Sequence, residues 1–413
     1  MQQTSPNNVI RITRRAADRV RAGHLWVYRT EMEGAVDAIE AGSIVTVADG
    51  RGIALGSALY SSTSQIAARV VSRKPAMSRA EYVQDVRVKI DAALARRRVL
   101  APVSERNNAH RLIFSEADEL PGIVADRYND LVLLQLLTQG TAQDDVRTVI
   151  VDALRDAFAG APLTVWERPD PRIRELEQLA APAPGALFAS GDAVATTEFM
   201  LNGLRFEYDA GAGQKTGAFL DQRLNYAAAA RWFEASGMAG KALDICTYQG
   251  GFALHLAQVC ERVTGVDASR AALEAADRNL ERNPQLRAET DWIEADAFEL
   301  MRAYDDAAQR YDAIVLDPPA FAKSKRAAEG ALRGYKELNL RALRMLNAGG
   351  TLVTCSCSHH VGLEDFTAVV SAAAVDAGRR VQLLETRAAA PDHPEILSLP
   401  ETRYLKCLIL RVD

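Results

Sequence analysis

The order of its sequence patterns predicts an α/β protein built in three blocks: a small N-terminal β barrel, a central α+β unit, and a C-terminal domain with a mostly parallel sheet. Short β runs separated by turns come first, a mixed stretch of helix and strand second, and a regular strand–helix alternation last. Residues 1–73 hold the runs Val9–Ile12, Ile44–Val47, Ile53–Tyr60 and Ile66–Val71, divided by turn signals such as Ala48-Asp49-Gly50. A first helix is expected to carry Arg14, Arg15, Arg19 and Arg21, followed by Gly23-His24-Leu25-Trp26-Val27-Tyr28. Residues 74–189 open with a helix whose apolar Val83, Val86, Ile90, Ala93 and Leu94 recur at three- and four-residue steps. Strands at Leu112–Ser115, Ile123–Tyr128, Leu131–Leu137 and Leu163–Glu167 follow, with a helix near Asp144–Phe158, and the Pro/Ala-rich Ala180–Gly185 reads as a linker. In residues 190–413, strands at Ala242–Cys246, Val263–Asp267, Trp292–Glu294, Ala313–Leu316 and Thr351–Cys355 each precede a helical pattern, and Val381–Thr386 and Tyr404–Val412 close the chain. Such alternation specifies an open parallel sheet with right-handed crossovers.

Composition narrows the class. An apolar fraction of 48% and a charged fraction of 25% are those of a globular protein. No uncharged apolar run reaches the ~18 residues of a membrane span, and the N-terminus has no apolar stretch suited to a signal peptide. The five cysteines are few and odd in number, so a disulfide framework is not expected and a cytoplasmic location is. The net charge of −5 conceals an asymmetry: residues 1–100 carry 16 Lys+Arg against 9 Asp+Glu, a balance of +7, which leaves −12 for the remainder. A basic module on an acidic body suits a polyanion partner, and a solvated charged surface is the alternative that charge alone leaves open.

In open α/β sheets, ligands bind beyond the carboxyl ends of the strands. Here the first strand of the third block runs from Leu243-Asp244 into Tyr248-Gln249-Gly250-Gly251, adjacent glycines ahead of a helix that let backbone approach a ligand. The second ends in Asp267-Ala268-Ser269, an acidic residue roughly 20 positions on that suits ribose hydroxyls. The third ends at Asp296-Ala297, where a carboxylate is placed to accept from an adenine amino group. The turn does not match G-x-G-x-x-G, which disfavours a nicotinamide dinucleotide. The fourth strand leads into Asp317-Pro318-Pro319-Ala320-Phe321, whose prolines fix the backbone beyond a carboxylate suited to clamping a flat base. Residues 321–344 hold seven basic and two acidic residues, and a basic loop contacting phosphate is expected there.

The fifth strand runs Gly349-Gly350-Thr351-Leu352-Val353-Thr354-Cys355-Ser356-Cys357-Ser358-His359-His360, putting Cys357 at or just past its carboxyl end. Cytosine C5 is a poor nucleophile until a thiolate adds to C6, after which a base must remove the C5 proton. A core-filling role for both cysteines is the bland alternative. Zinc is not expected, because no second ligand pair completes a four-ligand set.

With these residues in hand, the whole chain resembles the bacterial 23S rRNA (cytosine-C5) methyltransferase I family. The segments that carry the likeness are Gly23–Tyr28, Glu167-Arg168, Gly213-Gln214-Lys215-Thr216-Gly217-Ala218-Phe219-Leu220-Asp221-Gln222-Arg223, Tyr248–Phe252, Asp317–Phe321, Ser356-Cys357-Ser358, Asp392-His393-Pro394 and Pro400–Lys406. The resemblance implies a PUA-like RNA-binding domain (1–73), a central α+β domain (74–189) and a Rossmann-like class I methyltransferase domain (190–413). It implies S-adenosylmethionine as cofactor, 23S rRNA as partner, no metal, and a possible homodimer. It makes Cys357 the nucleophile, with Asp317 contacting the cytosine N3/N4 edge. Gln214, Lys215, Thr216, Phe219, Asp221 and Arg223 become a wall of the cofactor pocket. Asp244, Tyr248, Gly250, Gly251, Asp267, Ser269, Asp296, Ala297, Asp317 and Pro318 complete it. One departure from the wider RNA cytosine-C5 enzymes is that Pro319 is followed by Ala320 rather than cysteine. Thr354-Cys355-Ser356 also spells Thr-Cys-Ser, so Cys355 stands as a second candidate, although counting from Gly349-Gly350 favours Cys357. The rival readings are a purine methyltransferase, a small-molecule methyltransferase and a non-catalytic ribosome-assembly factor.

Overall fold

The computed structural model describes residues 8–34, 38–211, 217–322 and 325–413. The N-terminal block is a six-stranded sheet ordered Trp26–Tyr28, Ile66–Ser72, Ala54–Tyr60, Ile44–Asp49, Val9–Ile12, Met32–Glu33. Its two edge strands are joined only by the turn Arg29–Glu31, so the sheet must curl to bring its edges together, which gives the barrel-like form of a PUA-like domain. Helix Arg14–Arg21 buries Ala16, Ala17 and Val20 against it. The basic run on that helix is only partly free. Arg19 donates both terminal nitrogens to Glu31 (2.7 and 2.8 Å), and Arg21 pairs with Asp49, whereas Arg14 and Arg15 are exposed.

The central block is a five-stranded sheet backed by helices Arg79–Leu100 and Asp144–Ala157. It is followed by the hairpin Thr196–Leu201 and Leu204–Asp209, which turns at Asn202-Gly203 with φ of 53° and 89°. Phe199, Phe206 and Tyr208 of the hairpin share one core with Tyr128 of the central sheet and with Tyr226, Phe252, Val315 and Val353 of the third block. The second and third blocks are therefore packed as a continuous body.

The C-terminal sheet has seven strands: β1 (Lys241–Ile245), β2 (Arg262–Asp267), β3 (Glu289–Glu294), β4 (Tyr311–Leu316), β5 (Leu346–Ser356), β6 (Val381–Arg387) and β7 (Lys406–Val412). Their order is β3-β2-β1-β4-β5-β7-β6, parallel except for β7, which runs antiparallel to both neighbours. This is the Rossmann-like α/β sheet expected, and chain direction across it reverses between β1 and β4, the switch point where ligands bind. Of the stretch 321–344, where charge counting predicted a basic loop, Lys323 and Ser324 lie outside the described residues. Helix Ala328–Met345 occupies most of the stretch, because Ala331, Tyr335, Leu338, Ala342 and Met345 recur at three- and four-residue steps and are buried. Its cations are committed: Arg333 to Glu329, Lys336 to Asp376, Arg341 and Arg344 to Asp305.

Candidate active site

At the carboxyl end of β1 the backbone is forced into left-handed conformations at Cys246 (φ 65°), Tyr248 (φ 53°) and Gly250 (φ 85°). Each such non-glycine residue costs on the order of 1–3 kcal/mol and persists only where surrounding bonds impose it. Asp244 imposes it from below: Oδ2 accepts from Thr247 Oγ1 (2.6 Å) and from Ala253 N (2.9 Å), tying strand, loop and following helix together. Asp267 imposes it from the side, accepting Tyr248 N on Oδ2 (3.0 Å) and Ser269 N on Oδ1 (2.9 Å). Gly251 is required for space, since a Cβ there would stand 2.5 Å from the Tyr226 ring. Two buried polar atoms in this loop region have no partner among the described residues, Asp244 Oδ1 and Gln249 Nε2. Unpaired groups of that kind are costly and mark a place where a ligand is expected.

Above the loop lies a crevice of about 1250 Å³. Its volume exceeds the ~300–1,000 Å³ of a site for one small ligand, leaving room for a second group beside a cofactor. Asp267, Ser269, Asp296 and Ala297 line one end; Asp221, Asp317, Pro318 and Cys357 line the other; Phe219 and Tyr248 pack between them with ring centroids 5.0 Å apart. Asp296 also caps the helix Ala297–Asp306, accepting from Phe298 N and Glu299 N through Oδ1, and Ser269 caps the helix Arg270–Glu281. Asp244 and Gly250 sit behind the lining rather than on it. Arg223 departs from the expected wall: it is buried, and its Nη2 donates to Asp392 Oδ1 at 2.8 Å instead of facing the crevice. Gln214, Lys215 and Thr216 lie outside the described residues.

The two candidate cysteines differ in setting. Cys357 follows β5 directly, lines the crevice, and has Sγ 3.9 Å from Pro318 O. Cys355, two residues earlier, is fully buried opposite Cys407 of β7. The serines flanking Cys357 are fixed by Tyr335, whose hydroxyl meets Ser356 Oγ at 3.0 Å and Ser358 Oγ at 2.9 Å. Ser358 Oγ also accepts from Ala322 N (3.2 Å), clamping the cysteine turn to the Asp-Pro-Pro turn. Burial, reinforced by the charges of Asp221 and Asp244, pushes the Asp317 carboxyl up to about 8, against the opposing hydrogen bond from Gln222 Nε2 (3.0 Å). Burial thus favours the protonated form of Asp317. Burial, with Asp317 and Asp221, pushes the Cys357 thiol up to about 12. Gln222, Tyr404 and Lys406 stood in segments that carry the resemblance but, like Tyr335, had no catalytic role expected of them. Tyr404 enters through its hydroxyl, which donates to Asp221 Oδ2 at 2.6 Å.

Among the described residues no group of three or more His, Cys, Asp or Glu side chains is placed to hold a metal, and no helix is long and apolar enough to cross a membrane.

Comparison with known proteins agrees with this geometry. Residues 10–73 match the model of a PUA-like domain, and residues 118–411 match that of S-adenosylmethionine-dependent methyltransferases. Ribosomal RNA large subunit methyltransferase I of Klebsiella pneumoniae (strain 342) is 34% identical over 404 residues, covering 94% of each chain. The protein of that name from Escherichia coli (strain SMS-3-5 / SECEC) is 34% identical over 405 residues, covering 94% of this chain and 95% of its own. A solved Streptococcus mutans structure, described as a SAM-dependent methyltransferase, shares the fold with a TM-score of 0.80 at 19% identity, covering 98% of this chain and 99% of that one. A left-handed loop after β1, acidic ends on β2 and β3, and identity running through both domains place this chain in the ribosomal RNA large subunit methyltransferase I family, as an S-adenosylmethionine-dependent methyltransferase.

Proposed function

We propose that this protein methylates C5 of a cytosine in large-subunit (23S) ribosomal RNA through a covalent Cys357 adduct. The observation that carries the reading is the contrast between the two cysteines of β5: Cys357 lines the crevice beside Asp317, and Cys355 is sealed in the core. The RNA substrate is that named for the relatives at 34% identity.

S-adenosylmethionine, when bound, supplies the electrophilic sulfonium methyl. The residues suited to hold it follow from their unmet bonds. Gln249 Nε2 suits the carboxylate of the methionine end, and Asp244 behind the lining holds the loop that presents it. Asp267 keeps lone pairs for the ribose hydroxyls, and Asp296 Oδ2 is left for the adenine amino group. Phe219 and Tyr248 offer apolar faces between the two ends.

The target base has to leave any stack to present its ring face. Cys357 Sγ then forms a bond to C6 while protonated Asp317 donates to N3, so the ring electron pair is not stranded as charge. C5, now an enamine carbon, takes the methyl group. Loss of the C5 proton to a base expels the thiolate, and return of the N3 proton to Asp317 restores the neutral aromatic ring. Exposed Arg14 and Arg15 on the PUA-like domain are suited to the RNA backbone.

The reading is tested by methyl transfer from labelled S-adenosylmethionine to unmodified 23S rRNA, with nucleosides identified by mass spectrometry. The wild type is expected to give 5-methylcytosine, Cys357→Ala to lose activity by at least a thousandfold, and Cys355→Ala to retain it within about threefold. A labelled purine, or full activity in Cys357→Ala, contradicts it.

A further inference from the structure

Lys406, the first residue of β7, is only 4% exposed and lies opposite Ser356 in the β5–β7 register. A buried ammonium ordinarily sits against a carboxylate. Here, among the described residues, no carboxylate lies within ion-pair distance of it. Nζ donates instead to two backbone carbonyls, Ser358 O at 2.7 Å and Tyr404 O at 2.7 Å. Tyr404 lines the crevice and holds Asp221 through its hydroxyl, and buried Ser358 directly follows Cys357. Two of three N–H donors thus anchor the group, and its positive charge has no formal counterion.

The groups whose charge bears on Cys357 come from every element around it. Asp317 from the end of β4 and Asp221 from the turn Leu220–Gln222 oppose a thiolate. Tyr335 from the helix Ala328–Met345 has its own ionisation opposed by a charged Cys357. Among the described residues, Lys406 is the one cation of these groups, and it favours the thiolate. Around Lys406 itself stand Cys357, His359 and, beyond His359, Glu401. Burial lowers the Lys406 ammonium to about 8, and the Cys357 charge raises it in return. A thiolate beside two carboxyl groups needs such a charge to be populated at all.

We propose that Lys406 is the positioning residue that makes Cys357 nucleophilic, its carbonyl-anchored ammonium serving as the counter-charge of the Cys357 thiolate. The inference rests on the adduct chemistry proposed above. On ionisation the Cys357 S–H bond breaks and its proton passes to solvent in the open crevice. Lys406 stays an ammonium throughout, so no other proton acceptor is needed for this step. When the C6–S bond breaks at the end of the cycle, its electron pair returns to sulfur beside the same ammonium.

The test reads the thiol directly, without RNA. Alkylation of full-length protein by iodoacetamide is followed from pH 6.5 to 9.5 by mass spectrometry of the peptide carrying Cys357, in wild type, Lys406→Arg and Lys406→Met. Calorimetric S-adenosylmethionine binding reports folding, since Lys406 does not line the crevice. Folded Lys406→Met is expected to alkylate Cys357 at least tenfold more slowly at pH 7.5, and Lys406→Arg within threefold of wild type. Should the methionine variant fail to fold, the other two still decide. The logarithmic rate in wild type should bend near pH 8 as both the ammonium and the Asp317 proton are lost, and in Lys406→Arg only the smaller bend from Asp317 should remain. Unchanged alkylation in folded Lys406→Met, or the same profile in wild type and Lys406→Arg, overturns the proposal. Failure of the adduct chemistry is read separately: Cys357→Ala that still methylates cytosine refutes that chemistry whatever the alkylation rates are.

Discussion

An aspartate in water ionises near 3.9, and Asp317, lifted to about 8, does so four orders of magnitude less readily. The proposed work at the base edge would depend on that shift, because a protonated carboxyl donates where a carboxylate only accepts. The sign follows. Thiolate formation at Cys357 makes kcat/KM rise with pH, and loss of the Asp317 proton removes one power of that rise above about 8. Lys406 loses its charge in the same range, so the wild-type profile should climb to about pH 8 and then fall. Lys406→Arg, with no titrating amine, should climb and then level off; adding Asp317→Asn to it should leave a continuous rise. A Lys406→Arg profile that climbs unbroken to pH 9.5 contradicts a protonated Asp317. Cys357 and Asp317 were legible because each sits at a strand end next to a stiff or hydroxylated turn. Lys406, Tyr335 and Gln222 were not: their relevance comes from β7 lying against β5, and from helices packed across the sheet, which local pattern does not reveal.

At the scale of single elements the loop after β1 is the most constrained part of the site. Three left-handed residues in five, a strand carboxylate below and Asp267 beside it leave little freedom to adjust. Gly251→Ala should force the loop away from Tyr226 and weaken S-adenosylmethionine binding by tenfold or more in calorimetry. That corresponds to the ~1–3 kcal/mol of an overpacked site. Equal affinity would mean that the loop yields and that its close approach is unimportant. The glycines of this loop were readable, but the left-handed Cys246 and Tyr248 were not, since neither residue type announces such a backbone. The hairpin at Asn202-Gly203 was fully announced by its turn dipeptide, yet lay unread beside the Pro/Ala-rich linker. Trp26–Tyr28 and Met32–Glu33 are too short for alternation to register. In residues 321–344 the count of cations outweighed the helical apolar period, although the period decided the structure.

Across the whole molecule, the segment between β6 and β7 ties the three blocks to the crevice. Asp392 accepts from Arg223 Nη2 (2.8 Å) and from Arg111 N (2.8 Å), and its carbonyl accepts from Arg97 Nη2 (2.9 Å), linking the methyltransferase sheet to the central sheet and its first helix. Although burial opposes ionisation, His393 at 3.5 Å, the Arg223 guanidinium and the Arg111 amide hold the Asp392 carboxyl far below the usual carboxylate range. That contribution to stability is present above the ordinary aspartate value and is lost only as pH falls through the depressed one. Farther along, Ser398 Oγ donates to Gly23 O (2.9 Å) and Glu401 Oε2 stands 3.5 Å from His24 Nε2, docking the PUA-like domain on the segment that ends in Tyr404 and Lys406. The Gly23–Tyr28 motif is thus largely a seam: Trp26 Nε1 donates to Glu116 Oε1 at 2.8 Å, and Arg69 meets the same oxygen. Its residues were visible in the sequence, but the distance to residues 398–401 along the chain hid what they touch. With the PUA-like domain, the cofactor crevice and the cysteine turn held in one body, the proposed reaction has a thiolate of this body bond to cytosine C6. RNA carrying 5-fluorocytosine tests it most directly, because fluorine at C5 cannot leave as a proton and so blocks release of the thiolate. Incubation with S-adenosylmethionine should give a denaturation-resistant complex whose cross-linked peptide contains Cys357, and Cys357→Ala should give none. A complex that never forms while unmodified RNA is methylated, or one joined through another residue, contradicts the account.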